Sequence, residues 1–152
     1  MARYLGIDTP DVAGATGTTA TDLGAKVKAV REAKATHDFV FAHIKGTDSC
    51  GHDGLFDAKQ EMIERIDREF LAPLVKEFDV IVVTGDHTTA CSAKRHTADP
   101  VPFLFWHRDV RPDGSRKFCE RECLHGGLGT IRGVEVIPMI LDYLDLNHMF
   151  GE

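Results

Sequence analysis

Val80-Ile-Val-Val-Thr-Gly-Asp-His87 is the stretch on which the reading of the fold turns. A short β-branched run bounded by turn signals reads as a core strand of a parallel sheet. Gly85 follows it and removes the steric obstacle to a sharp exit. In open α/β sheets the chemistry gathers beyond the carboxyl ends of the strands. Asp86 and His87 stand at that position, and a carboxylate beside an imidazole has the character of a metal-ligand pair.

Working outward, the 152 residues read as one domain, 1–152, large enough for a core of its own. The formal net charge of −6 argues against a general nucleic-acid binder, which carries a basic face. No apolar run approaches the roughly 20 residues that span a bilayer. Met1-Ala-Arg-Tyr-Leu-Gly6 lacks the apolar core of a signal peptide. The expectation is a cytoplasmic protein with neither nucleic acid nor membrane as partner. Cys50, Cys91, Cys119 and Cys123 form no C-x-x-C pair, so zinc-finger and thioredoxin readings have no support. Cys119 and Cys123, with His125 nearby, read as packed thiols.

The chain opens on residues rich in Gly, Thr, Asp and Pro, read as loop with a short strand near Tyr4–Ile7. Leu23, Val27 and Val30 recur at helical spacing, which predicts a helix over 19–35 capped by Thr19 or Thr21. Asp38-Phe-Val-Phe-Ala-His-Ile-Lys45 predicts a strand covered on both faces, with His43 buried in it. Gly46 to Gly54 reads as a polar loop holding Asp48 and His52. A long helix follows over 55–78, with Met62, Ile66, Phe70 and Leu74 inward and Lys59, Glu64, Arg65 and Arg68 outward. Pro73 kinks its last turns. Beyond the strand at 80–84, residues 85–100 read as a long functional loop. Residues 101–106 read as a strand, 112–114 as a turn, 120–124 as a short helix and 134–144 as a final amphipathic helix burying Val136, Ile137, Ile140, Leu141 and Leu144. Strands alternating with helices predict an α/β fold with a mostly parallel sheet flanked by helices.

Two strands thus end in Asp/His pairs: Asp48 with His52, and Asp86 with His87. His96 lies on the loop leaving the second strand. In one parallel sheet all five could meet at one edge. A lone Asp or His in a loop is ordinarily solvated, a cap or a turn former; five at strand ends exceed what packing or turns require. Oxygen with imidazole donors suits Zn, Mn, Co or Fe(II) better than Ca or Mg alone. Five ligands exceed the usual complement of one catalytic ion, which points to a dinuclear site of the kind that clamps both oxygens of a phosphoryl transfer. Lys45, Lys94 and Arg95 are candidate contacts for an anionic substrate. His37, His107, His125 and His148 read as surface residues.

His43-Ile-Lys-Gly-Thr-Asp-Ser-Cys-Gly-His-Asp-Gly54 and the stretch from Val83 through Asp86-His-Thr-Thr-Ala-Cys-Ser-Ala-Lys-Arg-His96 to Pro102 resemble the archaeal-type cofactor-independent (2,3-bisphosphoglycerate-independent) phosphoglycerate mutases of the alkaline phosphatase superfamily. Gly14-Ala-Thr-Gly17 and Gly126-Gly-Leu-Gly-Thr-Ile-Arg-Gly133 add weaker likeness. The resemblance implies an alkaline-phosphatase-like fold and two divalent ions among Mn, Co, Zn and Mg. Asp48, His52 and His96 match the ligands of one ion, and Asp86 and His87 match ligands of the other. It also implies a glycolytic isomerase in which a serine carries the phosphoryl group between neighbouring hydroxyls of phosphoglycerate.

In the family that serine, a further Asp ligand and an arginine-bearing, substrate-gripping domain lie in an N-terminal part. Ser49, Ser92 and Ser115 do not stand in the nucleophile's motif. The chain therefore reads as a C-terminal portion, with one well-formed metal site, one partial site and an incomplete catalytic apparatus. Two other functions stay open: a metal-dependent phosphatase or hydrolase with water as nucleophile, and a non-catalytic metal-binding module that pairs with a separate N-terminal chain. The expected partners are phosphoglycerate or another phosphoester, with either a second copy of the chain or such an N-terminal chain.

Overall fold

A computed structural model describes residues 2–147. The described chain falls into two compact units. One comprises the residues up to Val75 together with Thr89–His96; the other comprises Lys76–Thr88 and the residues from Thr97 onward.

The first unit opens on a 3-10 turn, Ala2–Leu5, where a short strand was expected. Helix α1 is Leu23–Lys34. Its cap is Asp22 rather than Thr19 or Thr21: the Asp22 carboxylate accepts the Ala25 N–H at 2.8 Å. The threonine is occupied elsewhere, since Thr21 Oγ1 is buried and accepts the Thr16 N–H. Leu23, Val27 and Val30 form the buried stripe, as their spacing predicts.

The expected strand at 38–45 does not form. These residues take no regular secondary structure, Phe39 and Phe41 are 51% and 76% exposed, and His43 is exposed rather than buried. A β-branched and aromatic run becomes a strand only beside another strand that accepts its backbone bonds, and among the described residues the strands pair with one another and none with this run.

The expected loop at 46–54 is instead helix α2, Gly46–Asp53. Its glycines and polar residues are poor helix formers, and tertiary contact overrides that preference. A Cβ on Gly46 would lie 3.1 Å from the Thr18 carbonyl oxygen, so any larger residue there would press on the Thr-rich loop. Gly54 ends it at φ 72°, a left-handed cap that glycine adopts without strain.

Helix α3 is Phe56–Arg65, continued by a π-helical turn at Ile66–Leu71. The long helix foreseen to 78 stops here, because Pro73 cannot continue the i→i−4 ladder. Met62, Phe70 and Leu74 are buried as expected. Lys59 and Arg65, expected to face water, turn to backbone carbonyls instead: Arg65 Nη1 donates to Thr19 at 2.8 Å and Lys59 Nζ to Thr89 at 2.6 Å.

Residues 85–100 carry structure of their own. Strand β1 is Val80–Thr84, β2 Thr88–Ala90, β3 Arg95–Thr97 and β4 Phe103–His107. β2 pairs with β3 and β1 with β4, in two separate two-stranded sheets. β1 and β4 run antiparallel, with Val80 opposite His107 and Thr84 opposite Phe103. Strands and helices mix as expected of an α/β fold, but this pairing is not the parallel one expected. A parallel return needs a crossover, usually a helix, and the chain between β1 and β4 holds only two short strands.

In the second unit, short α4 is Glu120–Cys123 and α5 is Val136–Tyr143. The Phe105 and His107 rings of β4 pack on Tyr143 of α5, with centroids 5.0 and 5.3 Å apart. His107 is thus buried, not a surface residue. Its Nδ1 accepts the Asp109 N–H at 3.2 Å. Of the five α5 positions expected inside, Ile140 is buried and Ile137 is 49% exposed. His37 and His125 are exposed as expected, and His148 lies outside the described residues.

Candidate metal centre

The helical form of α2 organises the first site. Asp48 and His52 are four residues apart and therefore share one face of the helix. His96 reaches the same place from β3. His52 Nε2 lies 3.4 Å and His96 Nε2 3.6 Å from Asp48 Oδ1, and the two imidazole nitrogens are 3.1 Å apart. Three donor atoms therefore form a triangle. A tetrahedral ion with bonds of about 2.0–2.1 Å has ligands about 3.3–3.4 Å apart, which is the average edge of this triangle. One oxygen and two nitrogens are also the donor set of a transition-metal dication. The residues fit the ion that the sequence led us to expect.

The electrostatics favour the ligand state. Thr89 Oγ1 donates to Asp48 Oδ1 at 2.7 Å and Lys45 Nζ to Oδ2 at 3.1 Å. The Thr89 hydroxyl, then Lys45 and His52, hold the Asp48 carboxyl at about 2, below its ordinary 3.8. An acid this strong is ionised at neutral pH, as a metal ligand must be. The Asp48 side chain is mostly covered, at 18% exposure, whereas His52 and His96 keep about half their surface in solvent. Three protein donors are the complement usual for a catalytic ion, where a closed structural site takes four.

The other sequence-derived candidates fall as follows. Lys45 touches the site directly through Asp48. Lys94 occupies the left-handed region at φ 51°, in the turn joining β2 to β3, and its stem lies over Gly54. Such a conformation is uncommon for a non-glycine residue. Arg95 is exposed, with Nη1 donating to the His96 carbonyl at 3.3 Å. Asp86 and His87 lie in the second unit, just beyond β1; their side chains are 3.3 Å apart, and Asp86 Oδ1 accepts the His87 N–H. Burial pushes the Cys50 thiol up, and Cys91 Sγ donates to the Cys50 carbonyl at 3.9 Å. These thiols are packing groups.

Sequence reasoning missed Thr89, Lys59 and Gly51. Thr89 is one of two adjacent threonines, and only knowledge that β2 lies against α2 separates it from Thr88. Lys59 falls on what periodicity marks as the wet side of its helix. Gly51 reads as a loop glycine until α2 is known to be helical.

Three comparisons bear on this arrangement. The profile of the Metalloenzyme superfamily matches residues 2–143. The 2,3-bisphosphoglycerate-independent phosphoglycerate mutase of Thermococcus kodakarensis is 42% identical over 155 residues, covering 99% of this chain and 38% of the relative. Its counterpart from Pyrobaculum aerophilum is 43% identical over 154 residues, covering 100% of this chain and 37% of the relative. The solved structure of the PH0037 protein from Pyrococcus horikoshii superposes with a TM-score of 0.94 at 41% identity, covering 99% of this chain and 47% of that one. The chain thus spans about two fifths of the length of the curated relatives it matches.

Proposed function

The chain belongs to the Metalloenzyme superfamily, and on that premise we propose that Asp48, His52 and His96 hold a divalent cation in a phosphoglycerate-mutase-type phosphoryl-transfer centre. The observation that carries this reading is the triangle of donor atoms, 3.1, 3.4 and 3.6 Å on its edges. The naming of the relatives as phosphoglycerate mutases supports phosphoglycerate as the substrate class. The donor set favours Mn, Co or Zn over Mg. Asp86 and His87 offer one oxygen and one nitrogen to a second ion, and two donors make that site the weaker. A glycolytic phosphoester as substrate is in keeping with a cytoplasmic protein. The superfamily profile runs through both compact units, which supports reading residues 1–152 as one phosphatase-like domain.

When bound, such an ion supplies charge neutralisation to a phosphoryl group and acidity to a coordinated hydroxyl or water. The chain's own residues prepare for it. Asp48 is held ionised, with Thr89 donating to its Oδ1 and Lys45 to its Oδ2. Lys45, half exposed, can exchange its Asp48 contact for an anionic phosphoryl oxygen, and Lys94 and Arg95 are further cations exposed on the same unit. Ser49, the serine nearest in sequence, donates its hydroxyl to the Gly17 carbonyl at 3.2 Å instead of being poised as a nucleophile. With no serine in a nucleophile motif, these 152 residues by themselves turn over phosphoglycerate feebly or not at all.

The count of three protein donors favours a second reading, a hydrolase in which water completes the coordination. Phosphorus NMR of the manganese-loaded chain with 3-phosphoglycerate separates the two. Appearance of 2-phosphoglycerate supports mutase chemistry. Free phosphate that disappears on His96→Ala supports the hydrolase. Turnover by either route that persists in Asp48→Ala contradicts both.

A further inference from the structure

Resting on the metal-site reading above, we propose that Thr89 is a positioning residue: its hydroxyl sets the direction of the Asp48 carboxylate toward the cation, and Lys59 and Gly51 set the place of Thr89.

Thr89 is 3% exposed on β2, between α2 and α3. Its Oγ1–H donates to Asp48 Oδ1 at 2.7 Å, the length of a hydrogen bond to a charged acceptor. Oδ1 is the same oxygen that faces His52 and His96. One lone pair of that atom is thereby taken by a fixed, neutral donor, and the other is turned to the side where the imidazoles converge. Lys45, on Oδ2, is half exposed on a flexible stem and cannot fix the carboxylate plane by itself.

The backbone of Thr89 is anchored in its turn. Lys59 Nζ, from α3, donates to the Thr89 carbonyl at 2.6 Å. On the α2 side, a Cβ at Gly51 would meet the Thr89 carbonyl oxygen and come within 2.8 Å of Thr89 Cγ2. Only a glycine lets β2 lie this close to the helix that carries Asp48 and His52. Two neighbours on two helices therefore determine where one hydroxyl sits. Strand alternation sends Thr88 the other way, where its hydroxyl donates to the Asp99 carbonyl. The two adjacent threonines are thus not equivalent.

Outer partners that orient a metal ligand typically contribute 10–100-fold to metal affinity. The test compares the full chain with Thr89→Val, which keeps the shape and removes the hydroxyl, and Thr89→Ser, which keeps the hydroxyl. Cobalt(II) affinity by competition with a chelator should fall about 10–100-fold in Thr89→Val and return to within about threefold in Thr89→Ser. Metal-free unfolding measured alongside separates positioning from plain packing. Equal cobalt affinity in wild type and Thr89→Val, with wild-type binding lost in Asp48→Ala, overturns the proposal and leaves the metal site intact.

If wild type binds no cobalt, the metal reading itself fails. Metal-free crystal structures of the same chains then decide: an Asp48 side chain that turns away in Thr89→Val upholds the positioning role, and an unmoved one overturns it. Should the valine chain not fold, Thr89→Ala against Thr89→Ser is judged by the same measurements.

Discussion

Gly51→Ala tests the packing on which the first site stands, because two effects of opposite sign meet there. Gly51 is interior to α2. In an ordinary helix interior, alanine in place of glycine stabilises by about 1 kcal/mol. Here the added methyl would lie 2.8 Å from Thr89 Cγ2 and 3.0 Å from Thr89 Cβ, and would also run into the Thr89 carbonyl oxygen. Carbon atoms rest at about 3.5–4.0 Å, so β2 must retreat by several tenths of an ångström or more. Overpacking of this kind costs about 1–3 kcal/mol. Strain offsets the propensity gain, leaving a net loss of up to about 2 kcal/mol. Urea unfolding with an unchanged m-value measures it. Gly24→Ala is the control, since a Cβ there meets only the Asp22 carboxylate at 3.4 Å, an ordinary contact, and the variant should gain stability. The retreat also lengthens the Thr89–Asp48 bond, so cobalt affinity should fall in Gly51→Ala and hold in Gly24→Ala. A Gly51→Ala chain that gains about 1 kcal/mol and binds metal as before would refute the close approach of β2 to α2.

Two further outcomes follow from the same geometry. The Asp48 carboxyl is held at about 2 against an ordinary 3.8, so its contribution to stability, at most about 2 kcal/mol, is complete above about pH 4 and is lost as pH falls toward 2. Thr89→Val raises that carboxyl and should move the acid-unfolding midpoint of the metal-free chain to higher pH; an unmoved midpoint contradicts the assigned cause. Phe41, 76% exposed beside the half-exposed Phe39 in a run outside any ladder, marks apolar surface open to another chain. Sedimentation should show concentration-dependent association that weakens in Phe41→Asp, and a monomer at every concentration would oppose it.

Where periodicity and burial coincide, the sequence was legible. Leu23, Val27 and Val30 announced α1, Met62, Phe70 and Leu74 announced the buried stripe, and Val80–Thr84 announced a strand. The candidate donors Asp48, His52 and His96, which come together in the structure, stood out by chemistry as Asp and His in two motif-bearing stretches. Their local structure did not. Gly46 and Gly51 disguise α2 as a loop, because each glycine serves a contact with a distant segment that no local window contains. Strand direction failed for the same reason: an apolar run reads alike in parallel and antiparallel sheets, and only the chain between β1 and β4 decides. The run at 38–45 has strand composition without a strand partner among the described residues. Thr89 and Lys59 were invisible because their roles lie in donating to groups 41 and 30 residues away.

The most direct measurement is a calorimetric titration of the metal-stripped chain with zinc or manganese, repeated on Asp48→Ala, His52→Ala and His96→Ala. One dominant binding event that each substitution abolishes or weakens at least tenfold is the predicted result. Unchanged stoichiometry and affinity in all three would mean that the triangle of Asp48, His52 and His96 holds no ion.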